Sequence, residues 1–274
     1  MFVTKFDGRK EIFQKEKIIR TCLRMRATRE QAEYVAEKIE TKAYDGIPTK
    51  KILELIFFYL KKFRPEISYH IDLRKSISLL RPKPDFEIFV QLLLKALGYE
   101  VIPNQIVRGI CVEHEIDAIA KMGKETIFVE VKHHLNPHTY TGVDVCLETF
   151  ARMEDLREGY LKGINKIKFD YALIVCNTKF SEYAKNYSLC KNIKLLGWNF
   201  PEGRGLEQII IEKKLYPITF LKELDPDTEK KIADSGIVLL KQMAEIGLNE
   251  LYKRTGVSKS KINRFREKAI QILD

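Results

Sequence analysis

Two short runs joined by a tight turn constrain this chain more than any other feature. In "HEIDAIAKMGKETIFVEVKHH", His114 to His134, strand-like segments at 115–121 and 126–133 flank Gly123-Lys124, where glycine relieves the positive φ of a two-residue hairpin loop. Such a turn fixes the register. Ile116 then faces Val131, Ala118 faces Val129 and Ala120 faces Ile127, so that one face is wholly apolar. The other face sets Asp117 opposite Glu130, Glu115 opposite Lys132 and Ile119 opposite Phe128, with Glu130 and Lys132 sharing a side because side chains alternate along a strand. Two carboxylates at cross-strand distance repel, and burying them is unfavourable unless a positive charge sits between. A hard divalent cation fits that place. Magnesium takes oxygen ligands and keeps waters, one of which can become a nucleophile, while Lys132 can orient that water or stabilise charge growing on a phosphate. The same spacing also allows an ordinary salt-bridge lattice, Glu115 to Lys132 and Asp117 to a nearby lysine.

The rest of the chain supplies room for such a sheet. Its 274 residues allow one large domain or two to three small ones, and 45% hydrophobic with 31% charged residues is a globular composition. Pro82 and Pro84 in "RPKPDFE" and Pro226 in "LKELDPDTEKK" punctuate it into segments 1–82, 83–225 and 226–274. The first opens with a hairpin turning at Asp7-Gly8, followed by helical patterns at 14–26, 29–44, 49–63 and 67–80, with Thr28 and Thr49 placed as helix N-caps. The second reads as a helix at 85–97, strands around 106–112, 115–121 and 126–133, and a helix at 142–160. It continues with a strand "YALIVCNT", helix "FSEYAKNYSLC", strand "IKLLGW", helix "GLEQIIIEKK" and a last strand "PITFL". The order α, β, β, β, α, β predicts an α/β fold with a mixed sheet flanked by helices. The third segment is helical throughout.

Within this order, "FEIFVQLLLKALGYEV", "HEIDAIA" and "FVEVKHH" resemble the PD-(D/E)xK nuclease superfamily, in particular its Mrr-like and archaeal Holliday-junction-resolvase-like members, over roughly 85–180. The resemblance implies a restriction-endonuclease-like core with Asp117 and Glu130 as ligands of Mg2+ or Mn2+, Lys132 as the catalytic lysine and Glu87 as an accessory ligand or base. Ile116 stands where the family name has proline. Four of the five histidines, His114, His133, His134 and His138, crowd this region, either as phosphate contacts or as solvent-exposed strand ends. Glu148, Arg152 and Asp155 share a helix face, from which Arg152 can reach a phosphate or solvent.

The pattern V-x-K-x-D-G-x-x-E-x-x-x-x-x-K-I in "FVTKFDGRKEIFQKEKI", with "AYDGIPTKKI", resembles the ATP-cone, a regulatory nucleotide-binding module. The resemblance carries nucleotide contacts onto Val3, Lys5, Glu11, Lys17 and Thr49, with ATP or dATP as the effector. Phe6 replaces a basic residue of the family and Leu53 a polar one. No G-x-x-x-x-G-K-[ST] phosphate loop is present, so ATP is an effector and not a fuel. The alternative is a docking module that does not bind nucleotide.

"SGIVLLKQMAEIGLNELYKRTGVSKSKINRFREKAIQIL" resembles the helix-hairpin-helix domain of strand-exchange recombinases, which grips DNA phosphates without reading sequence. Seven basic residues against one acid between Lys253 and Lys268 point to nucleic acid, with Lys253, Lys259, Lys261 and Arg264 as contacts; Ser258 stands where a second hairpin glycine belongs. The net charge of +10 agrees with a polyanionic partner. Five scattered cysteines argue against disulfides and zinc ribbons and for a reducing cytoplasm. The longest apolar run, Ile52 to Leu60, is too short to span a bilayer, and no signal peptide opens the chain. The reading is a DNA endonuclease under nucleotide control. The rival is a non-catalytic nucleotide-sensing DNA-binding regulator on a retired nuclease fold. DNA against RNA, substrate shape and oligomeric state stay open, a homodimer being one that fits cutting of both strands.

Overall fold

The computed structural model describes residues 1–25 and 27–274. The chain opens with a flap of β1 (Phe2–Thr4) and β2 (Lys10–Ile12), then α1 (Lys15–Arg24), α2 (Arg29–Glu40), β3 (Ile47–Pro48) and α3 (Thr49–Leu60). The predicted end of the first helix at Arg26 lies outside the described residues. Thr28 caps α2 in a full capping box with Gln31. Thr49 does not cap α3. It is the first helical residue, because Pro48, held extended beside Thr4 of β1, already occupies the capping position. Val3, Ile18, Cys22, Val35, Ile39, Ile47, Ile56, Leu60 and Ile67 close a core of their own in this module.

The helix expected over 67–80 is broken. A 3-10 turn at Pro65–Tyr69 ends at extended His70, and α4 (Leu73–Leu79) restarts where Asp72 accepts the Lys75 N–H. A turn through Pro82–Phe86 leads into α5 (Glu87–Ala96). The chain then lays down β4 (Glu100–Arg108), β5 (Glu113–Met122), β6 (Glu125–Lys132), β7 (Tyr140–Thr141), α6 (Val143–Leu161), β8 (Tyr171–Cys176), β9 (Lys179–Phe180), α7 (Glu182–Cys190), β10 (Ile193–Leu196) and α8 (Leu206–Lys213). Helices α9 (Pro226–Asp234), α10 (Leu240–Glu245), α11 (Leu248–Thr255) and α12 (Lys259–Leu273) complete it.

Among the described residues the central sheet runs β10-β8-β6-β5-β4. β4, β5 and β6 are antiparallel, whereas β8 and β10 join parallel to β6, which requires the crossover through α6. The sheet is therefore mixed, as the element order predicts. The expected hairpin register is present, Ala118 opposite Val129 and Ala120 opposite Ile127, with Gly123 at φ 61 in the turn. One face packs Ala118, Ala120, Ile127 and Val129 under Phe86, which precedes α5, and Phe89 and Leu93 of α5. The other packs Ile119, Phe128, Ala172 and Ile174 under Val145, Met153 and Leu156 of α6.

Two expectations for this region fail. Ile116 lies in the α6-side core with Ile119, not with Ala118. The β4–β5 pairing passes from Pro103–Ala118 to Gln105–Ile116 around Asn104, whose φ of 46 puts it in the left-handed region, and side-chain alternation slips at that point. The expected strand in "PITFL" is a 3-10 turn, Ile218–Phe220. Its β-prone residues are buried in a connection, with Ile218 N–H donating to Val238 O and the Thr219 hydroxyl to Ser76 O.

Ile262, Phe265 and Ala269 of α12 share the cluster that holds Phe89 and Leu93 of α5. The C-terminal helices and the sheet are therefore one hydrophobic body. Phe265, fully buried, is expected on replacement by alanine to cost about 3–5 kcal/mol. Because Trp198 lies in the same cluster, its fluorescence melt should shift together with the circular-dichroism melt. A Trp198 transition left at the wild-type temperature would show that the terminal helices unfold separately.

Candidate active site

The β5–β6 ladder ends at Ala118–Val129, although both strands continue. Beyond it the Asp117 carboxylate takes the strand's place, Oδ2 accepting the Val131 N–H at 2.7 Å. The expected direct pairing of Asp117 with Glu130 and of Glu115 with Lys132 is absent from this ladder. β6 is still held along its other edge by β8, with Glu130, Val131 and Lys132 opposite Ile174, Val175 and Cys176. The two strands part, and the acidic groups sit where they do so.

Asp117, Glu130 and Glu87 are all buried, at 8%, 4% and 6% exposure. Lys132 Nζ lies 2.9 Å from Glu130 Oε1, and Arg152 Nη1 lies 2.5 Å from Oε2. The other Arg152 nitrogen donates to the Glu115 carbonyl, and the guanidinium lies over the Phe128 ring. Arg152 is thus neither on a solvated face nor free for phosphate, but holds Glu130. On the α5 side Lys83 Nζ bridges Glu87 at 3.2 Å, Glu115 at 3.0 Å and Asp117 at 3.8 Å. Sequence reasoning missed Lys83, taking "RPKPD" as punctuation, although Lys83 stands four residues before Glu87.

Glu130 thus has two cations in contact and Asp117 none closer than 3.8 Å. Burial, then the charges of Glu130 and Glu87, push the Asp117 carboxyl up to about 6, against the pull of the Val131 N–H and Lys83. Burial pushes Lys132 down, but Glu130, Glu148 and Asp117 outweigh it and hold the ammonium above its ordinary value. Lys132 is therefore a cation and hydrogen-bond donor at neutral pH.

No three histidine, cysteine or acidic side chains converge as a preformed metal site among the described residues. The donor set nonetheless suits magnesium or manganese, which take one or two carboxylates and complete the shell with water. Two buried carboxylates, one of them under-neutralised, form a hard, oxygen-only set with excess negative charge, and no thiol lies among these contacts.

Three of the four histidines, His114, His133 and His134, are not solvent-exposed strand ends. His114 hydrogen-bonds Asp155 at 2.7 Å, His133 donates to Ile77 O at 3.1 Å, and His134 is tied to Asn177 and Thr141. Burial lowers His133 and His134 below the ordinary histidine range. His138 is exposed, stacked on Phe6 with ring centres 4.3 Å apart. Ser181 caps α7, while the buried Thr178 hydroxyl pairs with Thr141.

The other predicted groups lie elsewhere. Val3, Lys5, Lys17 and Thr49 line a cavity beside the flap, together with Phe6 and Leu53. Glu11 stands outside it and binds both lysines, at 3.1 and 2.8 Å. In the C-terminal helices Lys261 is paired with Asp225 at 2.8 Å, while Lys253, Lys259 and Arg264 face solvent.

The chain matches the restriction endonuclease family over residues 81–199 and the AF1548-like, C-terminal family over residues 216–273. An uncharacterized protein of Archaeoglobus fulgidus is 36% identical over 181 residues, which span 66% of this chain and 98% of that protein. The chain belongs to the AF1548-like family. A crystal structure of a protein of unknown function, AF1548, resembles it with a TM-score of 0.59 and 35% identity, over 68% of this chain and 96% of that one. In this AF1548-like chain every member of the acidic cluster lies inside the restriction endonuclease match, which indicates a nuclease. No helix of the described residues is long and apolar enough to cross a membrane.

The cluster is braced from α6 by Asp155. Its carboxylate accepts the Cys111 and Val112 N–H groups at 2.8 and 3.4 Å besides His114, and Gly109 approaches so closely that a Cβ there would strike it. Burial pushes Asp155 up, but these hydrogen bonds outweigh it and hold the carboxyl at about 2. A depressed carboxyl stabilises the fold above its unfolded value and loses that contribution as pH falls through its folded value. Asp155→Asn is expected to lower the melting temperature at pH 7 by roughly 4–8 °C, for about 2 kcal/mol lost. The gap from wild type should close between pH about 4 and about 2, as followed by melts across that range; a gap independent of pH would contradict the assignment.

Proposed function

We propose that this protein is a metal-dependent DNA endonuclease hydrolysing phosphodiester bonds. The observation that carries the reading is the pair of buried carboxylates, Glu130 held by two cations and Asp117 under-neutralised, at the parted ends of β5 and β6 in a restriction endonuclease domain. Asp117 and Glu130 would hold Mg2+ or Mn2+. A bound divalent ion supplies a water of lowered pKa and neutralises charge on the scissile phosphate. Lys132, kept protonated by its acidic neighbours, orients the attacking water and donates to the phosphoryl oxygen as charge grows. Arg152 fixes the Glu130 carboxylate, and Glu87 serves as the accessory ligand or as the base that takes the water's proton.

In the same reading the N-terminal module is an ATP-cone that takes ATP or dATP as effector through Val3, Lys5, Lys17 and Thr49. Glu11 is the counter-charge that a phosphate displaces from the lysines. The C-terminal helices grip DNA in the manner of a helix-hairpin-helix, through Lys253, Lys259 and Arg264, with Lys261 joining once it leaves Asp225. A homodimer would bring two sites to opposite strands.

One observation favours the rival, a non-catalytic nucleotide-sensing DNA-binding regulator: Lys132 and Arg152 already satisfy Glu130 without any metal. The two are separated by incubating plasmid and four-way-junction DNA with magnesium or manganese, with and without ATP. Cleavage by the wild type should vanish in Asp117→Ala and fall roughly 10²–10³-fold in Lys132→Ala. DNA binding without cutting under every condition would favour the regulator.

The grip is tested separately. Replacing Lys253, Lys259 and Arg264 together by alanine should weaken duplex binding and flatten the slope of log K against log salt by about 0.9 for each phosphate that is no longer neutralised. An unchanged slope would remove these helices from the DNA interface.

A further inference from the structure

Between the N-terminal module and the sheet lies a cavity of about 1630 Å3 whose walls come from both bodies. Ligand pockets usually measure about 300–1,000 Å3, so there is room for a nucleotide with water. Its described lining carries eight lysines and arginines against two acids, Asp72 and Glu207. Glu207 is already bound by Arg24 at 2.8 Å across the gap. The cavity therefore presents positive charge from both sides.

Two polar groups on the sheet side lack partners. Arg74 Nε and Gln208 Oε1 are both buried without a hydrogen bond, and both residues line the cavity. Unmet buried groups are unfavourable by about 1–3 kcal/mol each, and natural folds leave few of them. One is a charged donor and the other an amide acceptor, so a ligand satisfying both must offer an acceptor, for which an anionic oxygen is the best match to the guanidinium, and an N–H or O–H. Leu53, Ile56 and Ile211 add apolar wall against which a flat ring can lie. Lys5 and Lys17 face the same space from the flap and α1, and both are paired with the single carboxylate of Glu11.

We infer that this cavity is a composite nucleotide site, in which a nucleoside triphosphate is held from both bodies at once. Lys5 and Lys17 take its phosphates from one side and Arg74 from the other, and Gln208 accepts from the base or ribose. The inference rests on the nucleotide-binding reading of the N-terminal module and adds a second wall to it. That wall leads to the acidic cluster. Arg74 also donates to the Pro137 carbonyl, and the flap's Phe6 stacks on His138. Both belong to the loop that follows Lys132 and His133, so a ligand that engages Arg74 acts on the chain a few residues from the end of β6.

The protein carries one tryptophan, Trp198, which lines this cavity with the Arg74 guanidinium 5.8 Å above its ring. ATP titrated into the full chain should change Trp198 emission. By equilibrium dialysis, adenosine and inorganic tripolyphosphate should each bind at least about tenfold more weakly than ATP. Arg74→Gln and Gln208→Ala should each weaken ATP by about tenfold or more, the loss expected for a buried hydrogen bond to a charged or exacting group, and Arg74→Lys should recover part of it. Thermal melts establish that each variant is folded, and Gln208→Ala carries the test if Arg74→Gln is not. ATP binding that Lys5→Ala or Lys17→Ala weakens but both sheet-side variants leave intact would overturn the composite site and spare the regulatory module. Tripolyphosphate binding as tightly as ATP would overturn the nucleotide class. No binding of ATP by the wild type at millimolar concentration would end both readings.

Discussion

A single substitution of partners governs this structure: the Asp117 carboxylate, and not a backbone carbonyl of β5, accepts the Val131 N–H. A backbone donor inside a sheet must be satisfied by something. When a side chain does it, the neighbouring strand is free to leave. β5 and β6 part at that point while β8 keeps β6 straight from its other edge. Glu130 and Lys132 are thereby held on a rigid strand that borders an opening.

Charge is distributed unevenly around that opening. Arg152 and Lys132 lock Glu130 from the α6 side, while Asp117 shares Lys83 with Glu87 and Glu115. The imbalance follows from which helix lies on which face, since α6 brings an arginine and α5 brings a further carboxylate.

The hairpin was legible because its information is local: a glycine at the turn and period-two hydrophobicity fix the register from Ala118 to Met122. The end of the ladder was not, since it depends on a competition between a carboxylate and a carbonyl for one N–H, and Ile116 and Ile119 look alike in a strand whichever way they point. Asn104, the sign of the distortion, lies on the neighbouring strand and is an ordinary polar residue in sequence. "PITFL" misled for a related reason: isoleucine, threonine and phenylalanine mark burial as much as extension, and here the buried piece is a connection. The surroundings of His114, His133 and His134 were not legible because their partners, Asp155, Ile77 and Asn177, come from distant parts of the chain. The acidic cluster itself was visible as Asp117, Glu130 and Lys132, but Lys83 and the role of Arg152 required the fold.

The hydrophobic clusters also bear on how such a chain can be inherited. The first module closes its own core from Val3 to Ile67, and meets the remainder through polar and stacked contacts such as Arg24 with Glu207 and Phe6 with His138, and through its 3-10 turn at Pro65–Tyr69 packed against α12. The last helices have no core apart from the one they share with α5. In a lineage, the front of the chain is a part that can be gained, lost or exchanged by recombination at little penalty to the rest. The rear is tied to the sheet-bearing half by the buried side chains of α12, and the two must vary together.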